Sequence, residues 1–259
     1  MQRYSVMKKA SLIAASMLVS VLALSSIANV QAAELKVLAG GAMTRPLREL
    51  ATQFESVSGH TVVYRFGTTP ELIKLATTGG PFDLGVVPQE VFKDAAAQAR
   101  FASGPTTDIA RVGLGVAVRS GAPKPDISTS EALKQTLLKA QSIATIPASA
   151  AGAQVLRVFE TLGISEVMKA KTKAQTGPAQ VVEAVAKGDA ELGVFLVNVL
   201  TAPGLDVVGA LPAALQQEVI FTAAVSAETK EAEAANQFIN YLRTSGAAAV
   251  LKARGMNPE

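Results

Sequence analysis

The residues best suited to chemistry begin at Gly40-Gly41-Ala42-Met43-Thr44-Arg45-Pro46. An apolar run, Glu34 to Leu38, precedes them, and Leu47, Leu50, Ala51 and Phe54 follow at helical spacing. Thr44 suits an N-cap and Pro46 the first helical turn. Two glycines let the backbone turn sharply and leave amide N–H groups uncovered. A strand ending where a helix N-terminus opens beside free amides has the geometry of an anion site. It is also the geometry of an ordinary strand-to-helix turn, so recurrence carries the weight. Gly67-Thr68-Thr69-Pro70 repeats the pattern, as do the small-residue loop Pro147 to Gly152 and Thr176-Gly177-Pro178.

Several side chains near these loops have two readings each. Arg45 and Arg65 flank the first two loops and could clamp carboxylates with bidentate hydrogen bonds, or stand as solvated arginines. Thr68 and Thr69 are hydroxyl donors or helix caps. Glu71 is a general base for an allylic proton shift, or a carboxylate paired with the positive end of its helix. Asn198 closes the run Leu192–Val197 and either donates to a ligand or closes a turn. His60, the only histidine, sits in a Gly-His turn and reads as structural, which leaves no triad or histidine metal cluster. Asp83, in an apolar run, reads as a cap or as a bridge between loops.

These loops need a scaffold of strands. Apolar runs at Thr61–Phe66, Phe82–Val87, Arg111–Val118, Ser142–Ile146, Lys171–Gln175, Leu192–Val197 and Gln217–Val225 read as strands, separated by amphipathic helical stretches. Ser128 with Glu131 reads as a capping box before one of them. Alternation of this kind implies right-handed crossovers, parallel sheets and ligand sites at strand carboxyl ends. Gly121 to Pro125 is a Pro-rich turn that separates two α/β series. The expected division is one lobe from residues 33–114 and 216–259 and a second from 115–215, with closure about the crossing strands.

Arg3, Lys8 and Lys9 precede an apolar stretch, Ala10–Ile27, and Val30-Gln31-Ala32 fits a small-x-small cleavage site. Residues 1–32 are therefore expected to be a signal peptide, with export to the periplasm and no stable membrane insertion after cleavage. The leader carries three bases and no acid, so residues 33–259 carry as many acidic as basic side chains. That balance gives no support to nucleic-acid binding. Without cysteine there is no disulfide framework, thiol nucleophile or zinc–thiolate site.

The leader, the Gly-Gly-Ala-Met-Thr opening and Gly79-Gly80-Pro81-Phe82-Asp83-Leu84 resemble the periplasmic molybdate-binding proteins of ABC importers. Arg111 to Val118, Pro147 to Gly152 and Glu191-Leu192-Gly193-Val194 extend the resemblance over the chain after the leader. It implies a two-lobed α/β periplasmic binding protein of type II, a Venus flytrap with parallel-sheet lobes and a two-strand hinge. It also implies a ligand site drawn from Gly41, Ala42, Met43, Thr44, Arg45, Thr68, Thr69, Ala151, Gly152, Gly177 and Asn198, with no cofactor and no metal. The family's first oxyanion serine falls at Ala42, its second at Thr68 or Thr69, its backbone donors near Ala151 and Pro178, and its tyrosine at Leu196. Pro178 has no N–H to give. These departures favour an organic carboxylate over molybdate, and match a divergent branch that includes a periplasmic aconitate isomerase. Two functions follow: capture of a small anion for an ABC permease, or cis/trans isomerisation of an unsaturated tricarboxylate on the same fold.

Overall fold

In a computed structural model, which describes residues 32–259, strands and helices alternate from Glu34 onward. Strand β1 (Glu34–Gly40) passes through a 3-10 turn, Gly41–Met43, into α1 (Thr44–Ser58). Next come β2 (Thr61–Gly67), α2 (Thr69–Thr78), β3 (Leu84–Pro88), α3 (Ala95–Gln98) and the long β4 (Thr107–Arg119). The chain continues with α4 (Ser130–Lys139), β5 (Ile143–Thr145), α5 (Ala150–Thr161), α6 (Ser165–Lys171) and β6 (Thr172–Ala174). Then follow α7 (Pro178–Lys187), β7 (Leu192–Leu196), α8 (Val197–Leu200) and β8 (Leu205–Ala210). The last elements are β9 (Glu218–Val225), α9 (Ala232–Leu242), α10 (Ser245–Ala253) and β10 (Asn257–Pro258).

The strands hydrogen-bond in the order β2-β1-β3-β9-β4-β7-β5-β6, with β8 and β10 also on β4. Pairing is parallel at both flanks, where β1 lies between β2 and β3 and β5 between β6 and β7. It is antiparallel around β9 and β4. All residues of β3 and β7 are buried, the mark of strands covered on both faces. The helices cover them with apolar stripes such as Leu47, Leu50 and Phe54 of α1 and Val155, Val158 and Phe159 of α5.

Strand β4 changes partners along its length. Thr107–Gly113 pair with β9, whereas Leu114–Arg119 pair with β7 and β8. At the changeover the Gln216 side chain stands in for a strand. Its Oε1 accepts from the Leu114 N–H at 2.8 Å and its Nε2 donates to the Leu114 carbonyl at 2.9 Å. Gly113 makes room, because a Cβ there would lie 3.1 Å from the Gln216 amide.

The expected leader lies outside the described residues, apart from Ala32. No helix of the described residues is long and apolar enough to cross a membrane. Two caps differ from expectation. Thr129, not Ser128, caps α4 by accepting from the Ala132 N–H at 3.0 Å, while the Ser128 N–H donates to Asp126. Thr44 does not cap α1: the 3-10 turn places it inside the helix, and its hydroxyl donates to the Gly41 carbonyl at 2.7 Å.

Gly152 is held by packing. A Cβ there would lie 1.8 Å from the Ile146 carbonyl oxygen, a backbone atom with nowhere to move, whereas Gly59 has φ +74° and open space. Gly152→Ala is expected to cost about 3 kcal/mol of overpacking strain. Gly59→Ala should cost about 1 kcal/mol, for its left-handed backbone alone. Chemical denaturation of both variants checks the order; equal stabilities would contradict the packing at Gly152.

Candidate functional site

Four strands of the flanks end where helices begin. Strand β1 leads into the 3-10 turn and α1, β2 into α2, β5 into α5 and β6 into α7. The first N–H groups of a helix have no partner within it, and the helix dipole makes that end positive. The residues at these starts are Gly41–Ala42, Thr68, Ser149 and Gly177, and they converge on two adjoining cavities.

The smaller cavity, about 30 Å³, is edged by Gly41, Ala42, Thr68, Thr69, Ser149 and Ala151. Phe195, Leu196 and Phe221 make its wall apolar. The larger, about 470 Å³, shares Gly41, Ala42 and Thr68 and adds Thr44, Arg45, Glu71, Gly177 and Asn198. Two hydrogen bonds join elements that are far apart in sequence across these cavities. The Ala150 N–H donates to Thr69 Oγ1 at 3.0 Å, and Asn198 Nδ2 donates to the Ala42 carbonyl at 2.7 Å. The first loop also abuts the fourth, since a Cβ on Gly41 would lie 3.2 Å from the Pro178 ring. Pro178 is the first helical residue of α7, where its missing N–H removes only a donor the helix cannot use.

The two threonines divide their work. The Thr68 N–H and hydroxyl both donate to Glu71 Oε2, at 2.8 and 2.9 Å, so the hydroxyl proton is committed to the cap. Thr69 only accepts, from Ala150, and among the described bonds its proton goes to no protein group. Thr69 is thus the hydroxyl with a proton to give in the smaller cavity. Ser149 caps α5 by accepting from the Gly152 N–H at 2.9 Å and donates to the Ile146 carbonyl.

Arg45 is exposed in the first turn of α1 and lines the larger cavity. The ion pairs among the described residues involve Arg100, Arg111, Lys187 and Arg254, not Arg45. Arg65 differs from the clamp considered for it: its guanidinium is turned onto the carbonyls of Gly79, Gly80 and Pro81, just past the end of α2. Those carbonyls lack helical partners, and a cation there also complements the dipole. Of the remaining expected site residues, Met43 and Gly152 stand apart from both cavities. The Met43 side chain is fully buried in the core, and Gly152 is pressed against Ile146.

His60 is buried and structural: Nδ1 accepts from the Ala33 N–H at 3.0 Å, so Nε2 carries the proton shared with Gln237 at 3.2 Å. Asp83 ties β1 to the segment after β9, accepting from the Lys36 N–H at 2.7 Å and the Thr229 hydroxyl at 2.6 Å. Among the described residues no three His, Asp or Glu side chains gather as a metal site. Sequence reasoning passes over Ser149, Gln180 and Phe221, which line the cavities. Ser149 has a findable signal, a cap residue before a helix. Phe221 arrives on β9 from far along the chain and has none.

A family model described as bacterial extracellular solute-binding protein matches residues 35–257. An aconitate isomerase from Pseudomonas sp is 34% identical over 233 residues, 86% of this chain and 87% of that protein. The molybdate-binding protein ModA of Azotobacter vinelandii is 28% identical over 235 residues, 87% of this chain and 90% of that one. Among solved structures, the Azotobacter vinelandii periplasmic molybdate-binding protein aligns with a TM-score of 0.73 at 22% identity, covering 86% of this chain and 98% of that one. The sulfate-binding protein SubI from Mycobacterium tuberculosis aligns with a TM-score of 0.69 at 16% identity, covering 87% of each. These likenesses agree on the fold and differ in the solute they name.

The Arg65 contacts yield a measurable expectation. Arg65→Ala should lower stability by about 1.5–3 kcal/mol, the range for hydrogen bonds from a charged donor, and leave ligand affinity unchanged. Thermal denaturation beside calorimetric titration checks both; lost affinity at unchanged stability would return Arg65 to the site.

Proposed function

The chain belongs to the bacterial extracellular solute-binding protein family, and from that premise we propose that it captures a small organic carboxylate in the larger cavity. Capture takes place in the periplasm and delivers the solute to an ABC permease. The observation that carries this reading is Arg45, a guanidinium outside every protein ion pair described, beside a cavity onto which helix N-termini open. A guanidinium fork matches a carboxylate with two parallel hydrogen bonds. The larger cavity, about 470 Å³, falls within the size range of small-molecule pockets. The smaller, about 30 Å³, has room for roughly two waters. Its walls are Ala42 and Leu196 where the resemblance puts oxyanion ligands, which weighs against molybdate. The residues before Gly115 and after Leu215 form one lobe and those between form the other. The lobes close by bending of β4 and the segment before β9, and the Asn198–Ala42 and Ala150–Thr69 bonds hold the closed form.

A second reading has its own support. The aconitate isomerase relative is more similar in sequence than the ModA protein named above, and Glu71 brings a carboxylate to the larger cavity. An allylic proton shift needs one such acid/base group beside a bound tricarboxylate. A binder returns its ligand unchanged, whereas an isomerase converts cis- to trans-aconitate, which ultraviolet absorbance follows directly.

A thermal-shift screen of oxyanions, dicarboxylates and tricarboxylates identifies the ligand, and calorimetry then tests Arg45. A charge-assisted hydrogen bond contributes about 1.5–3 kcal/mol, so Arg45→Ala should weaken binding by roughly ten- to a hundredfold. The ligand-free melting temperature should stay the same, because Arg45 is exposed. Unchanged affinity removes the clamp. Molybdate binding more tightly than every carboxylate overturns the ligand class.

A further inference from the structure

Two amide side chains reach from the segment 115–215 to the rest of the chain, and both are bonded in the same lopsided way. Asn198 of α8 donates from Nδ2 to the Ala42 carbonyl at 2.7 Å. Gln154 of α5 donates from Nε2 to the carbonyl of Glu218, the first residue of β9, at 3.1 Å. Each residue is 4% exposed, and the oxygens of the two amides, Asn198 Oδ1 and Gln154 Oε1, are buried with no partner among the described residues. Turning either amide over would set two oxygens against each other, which fixes the orientation of both. A neutral hydrogen bond gains less than a buried, unpaired acceptor costs. Each crossing amide therefore opposes the arrangement that its nitrogen joins. The oxygen shares a carbon with that nitrogen, so it lies at the same boundary and meets water once the two sides part. The partner carbonyls are better placed to be hydrated, since Ala42 lines the larger cavity and Glu218 is exposed.

We propose that Asn198 and Gln154 form a paired brake on closure, which keeps the empty protein from closing fully until a solute adds contacts of its own. This rests on the lobe division and closure of the proposed function, and adds what makes closure wait for the solute. Its consequence is that few empty molecules present the closed form to a permease.

The test reads lobe separation directly. The chain has no cysteine, so Lys74→Cys on α2 and Lys139→Cys on α4, both at exposed positions, accept a pair of spin labels. Double electron–electron resonance then gives the distance distribution with no solute added. Gln154→Met keeps the length of the side chain but removes the unpaired oxygen together with one bond. It should raise the ratio of closed to open molecules by roughly fivefold, the surplus of a buried unpaired acceptor over one neutral hydrogen bond. Asn198→Leu should shift the ratio the same way. Gln154→Glu keeps an unpaired acceptor and loses the donor, so it should shift the ratio toward open. Melting curves verify folding, and either apolar variant decides the matter if the other does not fold. Plain latches would open in both apolar variants; that result overturns the brake, as do short- and long-distance populations that the variants leave unchanged, while lobe closure stands. A single distance that neither the variants nor any carboxylate of the thermal-shift screen alters overturns lobe closure itself, and this inference with it.

Discussion

A helix cannot satisfy its own first N–H groups, and here four helix starts gather at one place. Parallel strands on both flanks make this unavoidable. Each strand must be followed by a crossover helix, and right-handed crossovers bring the helix starts to the carboxyl edge of the sheet. The apolar strands β3 and β7 bury that frame, and the small residues Gly41, Ala42, Gly67 and Ala151 keep side chains out of the space the helices open onto. In the proposed function a ligand's charge meets both these backbone N–H groups and Arg45.

Magnitudes bear on the closure proposed above. Two neutral hydrogen bonds, Asn198 to Ala42 and Ala150 to Thr69, join the facing edges. Each contributes about 0.5–1.5 kcal/mol net, so together they are comparable to one guanidinium–carboxylate contact. Neither side of that balance dominates, and a ligand that adds its own contacts to the closed form shifts the population by its differential affinity. Gln216, bonded to both backbone groups of Leu114 where β4 changes partners, keeps the strand paired at the point where the proposed closure would bend it. Glu71 shows the opposite economy: it holds the α2 cap closed and sets one negative charge beside the cavity.

The four loops are legible in the sequence because small residues and proline directly precede apolar residues at helical spacing, and those signals are local. So are most strands, whose runs are continuous and apolar. Helix α6 is harder to read, because Met168 is its only buried side chain and its stripe is too narrow to mark a period. The cap at Thr129 instead of Ser128, and the 3-10 turn that moves Thr44 into the helix, are one-residue choices that local geometry makes. Arg65 could not be assigned from sequence, because its partners are carbonyls beyond the next helix. Nor could Thr68 and Thr69 be told apart, since both have hydroxyls and only the Glu71 and Ala150 contacts distinguish them. Phe221 closes the smaller cavity from β9, a pairing fixed by the whole sheet.

The most direct measurement is a diffraction structure of the protein with the di- or tricarboxylate that binds it most tightly. The account predicts a carboxylate of that ligand within hydrogen-bond distance of the Arg45 guanidinium, with backbone N–H groups at the start of α1 facing the same ligand. A ligand bound away from the four helix starts, or within them with Arg45 turned to solvent, would contradict it.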